Sequence, residues 1–107
     1  MSEDQIRVLY TRGGREFSRR AFSLGEIRQT TLGEAVRNED LTVGMGNQFE
    51  IYVRPESGEN EISAHQREGV SLEHVLRRAS GGGEISGKTF VIDCTAEHKG
   101  ALEMSYE

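Results

Sequence analysis

The sequence predicts an α+β domain of order ββαββαββ, a mainly antiparallel sheet packed by two short helices. Three observations carry that expectation. Several short runs alternate apolar and polar residues at period 2, as half-buried strands do. Two segments instead repeat apolar residues at helical spacing behind a capping residue. Glycine is frequent, at 13 of 107 residues, and stands between these runs where the chain must turn.

The first predicted strand is Ile6-Arg7-Val8-Leu9-Tyr10, with Ile6, Val8 and Tyr10 on one face. Arg12-Gly13-Gly14-Arg15 is a hairpin turn, because paired glycines tolerate positive φ. Glu16 to Leu24 returns as a second, more polar strand. Its apolar residues Phe17, Ala21, Phe22 and Leu24 break strict alternation, which predicts a bulge or an edge position. Thr31 and Glu34 then have capping-box spacing, and Leu32, Ala35 and Val36 form the apolar face of a short helix. Residues 38–47 read as irregular chain.

Phe49-Glu50-Ile51-Tyr52-Val53 alternates cleanly and ends at Pro55, which cannot donate to a ladder. A turn over 56–60 leads into a weaker return strand over 61–66. Ser71 caps a second helix whose Leu72, Val75, Leu76 and Ala79 fall on one stripe. Arg77 and Arg78 suit its negative C-terminal end, and Gly81 can take the left-handed stop. Thr89 to Thr95 is a rich β run, with Cys94 on the same face as Phe90 and Ile92. Leu102, Met104 and Tyr106 alternate in a final strand. The Phe49 and Phe90 strands, and the Thr31-Leu32 and Ser71-Leu72 helix starts, recur at offsets of 40–41 residues. Duplicated ββα units and chance both account for that spacing.

At 107 residues the chain is one small domain, with residues 1–5 as a flexible terminus. A net charge of −5 argues against a dedicated nucleic-acid or anionic-membrane binder. One cysteine excludes an internal disulfide and fits a reducing compartment. The first residues lack the basic and apolar regions of a signal peptide, so a cytoplasmic protein is expected.

One string imitates a catalytic motif. Gly82-Gly83-Glu84-Ile85-Ser86-Gly87-Lys88-Thr89 fits the phosphate-loop pattern G-x-x-x-x-G-K-[ST], with Gly82, Gly87, Lys88 and Thr89 at the defining positions. A phosphate loop leaves a strand and opens a helix, whose N-terminus adds a positive dipole end. Here a helix comes before the string and a strand after it. Phe90-Val91-Ile92-Asp93 likewise imitates a magnesium-binding strand, but it begins one residue after the loop, where the usual arrangement places it on a separate strand of a parallel sheet. The glycines therefore read as a helix stop and connector, with nucleotide or phosphate binding as the alternative.

Other chemistry is sparse. His65, His74 and His98 lie on a strand, a helix and a turn without close metal-ligand spacing, so neither a metal nor a cofactor is expected. Cys94 reads as a buried structural thiol. The pairs Arg19-Arg20 and Arg77-Arg78 are the candidates for reading an acidic partner.

The order ββαββ, a short helix and a further strand, from Ile6 to about Thr95, resembles the ubiquitin-like β-grasp superfamily. Thr30-Thr31-Leu32-Gly33-Glu34-Ala35-Val36 with the strand after it is also similar to the sulfur-carrier branch of that superfamily. Carriers and modifiers end in Gly-Gly, whereas this chain ends Met104-Ser105-Tyr106-Glu107. The resemblance implies a non-catalytic protein-binding role without conjugation, as an adaptor, accessory subunit or inhibitor. The partner would be another protein or a second copy docking on an open strand edge. A sulfur carrier lacking its tail is a further alternative.

Overall fold

The computed structural model describes residues 5–45, 49–57, 61–64 and 68–96. It is an α+β fold with one mixed five-stranded sheet and three helices. In chain order these are β1 (Ile6–Arg12), β2 (Arg15–Phe22), α1 (Leu24–Gln29), α2 (Leu32–Asn38), β3 (Phe49–Pro55), β4 (Ile62–Ser63), α3 (Leu72–Ala79) and β5 (Thr89–Ala96). The sheet order is β2-β1-β5-β3-β4.

The last described strand is the central one. β5 runs parallel to β1, with Leu9 opposite Val91, and antiparallel to β3, with Tyr52 opposite Asp93. Among the described strands antiparallel pairing dominates as expected: β1–β2, β3–β4 and β3–β5 pair that way, and β1–β5 is the parallel exception. The parallel contact joins chain ends that no short turn connects, so local turn signals carry no trace of it.

The Gly13-Gly14 hairpin forms as expected, with φ of 59° and 89°. The expected irregularity in β2 is both a bulge and an edge. Tyr10 pairs with Ser18 and Thr11 with Glu16, leaving Phe17 as the extra residue.

The predicted second strand does not reach Leu24. Ser23 is an N-cap, with Glu26 closing a capping box, so Leu24 begins α1 and Ile27 enters the core. The described residues thus hold three helices where two were expected. The capping box at Thr31 and Glu34 and the cap at Ser71 form as predicted. Leu72, Val75, Leu76 and Ala79 are all buried. The return strand is shorter than expected, two residues followed by buried Ala64. The predicted strand over 102–106, His65 and His98 lie outside the described residues.

The two recurring helix starts meet in space. Thr31 and Ser71 form an antiparallel bridge. Across it the Leu32 amide donates to the Val70 carbonyl (2.9 Å) and the Leu72 amide to the Thr30 carbonyl (2.7 Å). Gly33 is buried beside this bridge, and its amide donates to the Glu68 carbonyl.

The core sits between helices and sheet. Ile6, Val8 and Tyr10 of β1, Ile51 and Val53 of β3, and Phe90, Ile92 and Cys94 of β5 join the buried helix residues in one cluster. Since successive strand residues point to opposite faces, the helices cover one face and leave the other bare. Among the described residues, no helix is long and apolar enough to cross a membrane.

Candidate interaction surface

The bare face is built by the residues that alternate with the core. β1 contributes Arg7, Leu9 and Thr11, β5 contributes Val91, Asp93 and Thr95, and β3 contributes Glu50, Tyr52 and Arg54. Pairing aligns them in rows across the strands. One row is Arg19–Leu9–Val91–Arg54, and the next is Glu16–Thr11–Asp93–Tyr52–Ser63. A shallow groove of about 550 Å³ follows the second row, walled by Glu50, Tyr52, Glu61 and Thr95. A smaller hollow of about 130 Å³ lies between Arg7, Leu9, Arg19 and Thr89.

Four hydrogen bonds stiffen the groove. Asp93 accepts from the Thr11 hydroxyl (2.5 Å) and from the Gly14 amide (2.8 Å), tying the β1–β2 turn to the central strand. The Gly13 amide adds a bond to the Cys94 carbonyl at 3.0 Å. Asp93, which imitates a magnesium ligand in the sequence, thus has turn donors on its carboxylate. The Tyr52 hydroxyl donates to Glu50 (2.5 Å), and this bond, helped by burial, pushes its pKa up to about 12. Tyr52 is therefore a neutral donor at physiological pH.

The arginine pairs singled out in the sequence do not act as pairs. Arg19 lies on the bare face and bonds exposed Glu16 (2.7 Å), while Arg20 reaches the helix side and bonds Glu39. That contact raises the Arg20 pKa, and Glu39 also accepts from Ser18. Arg77 bonds Glu73 at 3.1 Å, a carboxylate shared with Arg28, and Arg78 is exposed on α3. Burial works against ionisation of Glu73, yet the bonds from Arg77 and Arg28 prevail and lower its pKa. Adjacent strand residues face opposite sides, so the Arg19-Arg20 pair was bound to split. The structure groups Arg19 with Arg7 and Arg54 instead. Sequence reasoning missed those two, along with Leu9 and Tyr52. Their signal was the out-of-phase half of each strand alternation.

The phosphate-loop string connects α3 to β5, as its context predicts. Gly81, Gly82 and Gly87 have φ of 81°, 87° and 74°. Four of its amides already have partners. Gly82 donates to the Arg77 carbonyl (2.7 Å), Gly83 to the Ser80 hydroxyl (3.2 Å), Gly87 to the Gln5 carbonyl (2.9 Å) and Lys88 to the Ile85 carbonyl (3.2 Å). Ile85 is buried as the anchor of the connector, while Lys88 is exposed and Thr89 starts β5.

Nucleophile chemistry finds little purchase. Cys94 is fully buried, and desolvation, followed by the nearby Asp93 charge, pushes its thiol up to about 12. The Tyr10 hydroxyl is buried without a hydrogen-bond partner among the described residues, and desolvation raises its pKa strongly. No cluster of three or more His, Cys, Asp or Glu side chains among the described residues is arranged to hold a metal ion.

Comparison of the chain with protein-family models, with curated proteins and with solved structures gives no match.

Proposed function

We propose that this domain is a non-catalytic protein-binding module of the β-grasp type, which docks its partner on the helix-free face of the sheet. The observation that carries the reading is that face itself. It spans the three central strands, holds half-buried Leu9 and Tyr52 around Val91 (4% exposed), and is rimmed by charged side chains. An apolar centre with a polar rim is the anatomy of a protein interface. A sheet whose first and last described strands lie parallel at the centre, with a hairpin on each flank, supports the β-grasp comparison. The reciprocal bonds between the Thr31 and Ser71 helix starts support descent from two ββα units.

The non-catalytic part rests on the cysteine, which is protonated at neutral pH and out of reach of a substrate. A phosphate-binding role has less support, because the Gly82, Gly83, Gly87 and Lys88 amides are bonded to the chain itself and the string runs from helix to strand.

A tagged copy expressed in its native host beside an untagged one tests the reading. Affinity capture should recover a stoichiometric protein, whether a second copy or another chain. Leu9→Asp should abolish that capture, while Arg77→Glu with Arg78→Glu on α3 should leave it intact. Capture insensitive to Leu9→Asp but lost with the α3 substitutions would refute docking on the bare face.

A further inference from the structure

The hairpin β1–β2 is the basic part of an acidic chain, and its outer strand is a sheet edge. From Ile6 to Phe22 it carries five arginines and one acid, Glu16, a net +4 where the whole chain has −5. Arg19 is neutralised by Glu16, and Arg20 by Glu39 at the end of α2. Arg7, Arg12 and Arg15 form no salt bridge among the described residues. Arg12 and Arg15 even stand directly opposite each other, where like charges repel. Beside them Phe17 is 44% exposed, with the Arg12 guanidinium 5.5 Å from its ring centre. We infer that the β2 edge takes an extended acidic segment of a partner protein as a further strand of the sheet.

The backbone fixes which groups are on offer. The Arg7 amide donates to the Lys88 carbonyl and the Gly13 amide to the Cys94 carbonyl, both at 3.0 Å. Odd-numbered residues of β1 therefore bond to β5, and even-numbered ones to β2. On β2, Ser18, Arg20 and Phe22 bond inward to Tyr10, Val8 and Ile6, so Arg19 and Ala21 turn their N–H and C=O groups outward. Both residues are exposed, and among the described strands only β1 pairs with β2. A partner strand would find these groups waiting, as in other cases of strand addition.

Charge selects the occupant. β2 itself holds Arg15, Arg19 and Arg20 against Glu16, so a second β2 would bring the same net +2 to the same edge. Charged side chains and a bulge, here at Phe17, are the features that keep an edge from pairing with its own kind. An acidic strand meets the opposite condition. Arg19 and Arg20 point to opposite faces of the sheet, so carboxylates on either face of the incoming strand have an arginine beside them. Those two are shared with Glu16 and Glu39, which leaves Arg15 as the cation with most to gain. The edge binds through backbone, whereas the face proposed above binds through side chains, so the two stand or fall separately.

Amide NMR of the full chain, titrated with an end-capped peptide of alternating glutamate and valine, tests this. Peptide up to about 2 mM should move the Arg19 and Ala21 amides and leave those of Tyr52 and Val91 in place. Binding should weaken about tenfold between roughly 0.05 M and 0.5 M salt. Arg15→Glu should weaken it about tenfold as well. Ala21→Pro removes one outward donor while sparing the ladder to β1, and should do the same. If that variant does not fold, a backbone N-methylated peptide makes the test from the other side, and it should not bind. Arg19 and Ala21 amides that stay in place overturn the inference. So does equal binding by the N-methylated peptide, which would leave charge attraction without a strand, or by a lysine-valine peptide, which would remove the selection by charge. A single-stranded oligodeoxynucleotide that moves the same amides at lower concentration would also overturn it, by making the edge a nucleic-acid site. Shifts at Tyr52 and Val91 in place of Arg19 and Ala21 would remove this inference and leave the bare-face reading standing.

Discussion

Asp93 allows the sharpest stability prediction, because one carboxylate oxygen holds the turn and the central strand together. In Asp93→Ala the Thr11 hydroxyl loses its acceptor at a site only 6% exposed, while the exposed Gly14 amide can turn to water. A bond to a charged acceptor is worth about 1.5–3 kcal/mol, and a stranded buried donor costs about 1–3 kcal/mol. Since the amide is re-solvated, the expected loss is dominated by Thr11, at roughly 2–3 kcal/mol. Asp93→Asn keeps an oxygen acceptor and should cost about 1 kcal/mol.

Urea unfolding measures these values. With m of about 1.5 kcal/mol/M, Asp93→Ala should lower the midpoint by about 1.5–2 M. Thr11→Val removes the donor while keeping the shape, and the double-mutant cycle with Asp93→Ala should return a coupling of about 1–2 kcal/mol. Magnesium should leave the midpoint of the unmodified chain where it is. A loss below about 0.5 kcal/mol in Asp93→Ala, or zero coupling, would refute the clamp. Stabilisation by magnesium that vanishes in Asp93→Ala would replace it with a metal site.

Other consequences follow from packing, pH and the connector. Gly33→Ala would set a Cβ 2.9 Å from Glu68 Cβ and 3.1 Å from the Glu68 carbonyl oxygen, so backbone must move; a thermal or urea scan should show a loss of about 1–3 kcal/mol. Cys94 has a folded pKa of about 12 against an ordinary value of 9.0, so its contribution is complete below pH 9 and lost as pH rises toward 12. That contribution is worth up to roughly 4 kcal/mol, and urea midpoints measured from pH 8 upward should fall less steeply in Cys94→Ala. Lys88→Ala should leave stability within about 0.5 kcal/mol, and calorimetry with ATP or GTP, with and without magnesium, should show no saturable heat.

What the sequence disclosed divides by the range of the interaction. The caps at Thr31 and Ser71, the stop at Gly81 and the faces of β1, β3, β5 and α3 are local, and periodicity and capping chemistry expose them. α1 was hidden because Phe22 and Leu24 continue the look of a strand, while the Ser23–Glu26 box that starts the helix sits inside the same run. The parallel β1–β5 contact was hidden for a different reason. It joins Leu9 to Val91 across almost the whole chain, and nothing local marks such a pairing. The near-continuous apolar run Phe90-Val91-Ile92 was the clue. A strand flanked by neighbours on both sides reads that way, and a central position explains it better than an ordinary hairpin partner would.

The same distinction explains why the candidate surface was harder to read than the core. A core face announces itself through apolar alternation, so Ile6, Val8 and Tyr10 stand out at once. The residues between them carry no such signal, and the paired arginines stand out only because they are adjacent in sequence. Adjacency on a strand separates side chains, whereas pairing across strands unites them. Leu9 and Val91 are two ordinary aliphatic residues far apart in the chain, and they become the middle of a surface only once β5 enters between β1 and β3. Arg54 and Glu50 gain meaning in the same step, because flanking Tyr52 on one strand places both along the groove beside Asp93. In this chain the insertion of the central strand therefore completes the core on one side and the helix-free face on the other. A change that weakens β5 pairing should cost stability and partner binding together, and the Asp93 clamp is where the two effects can be measured in one variant.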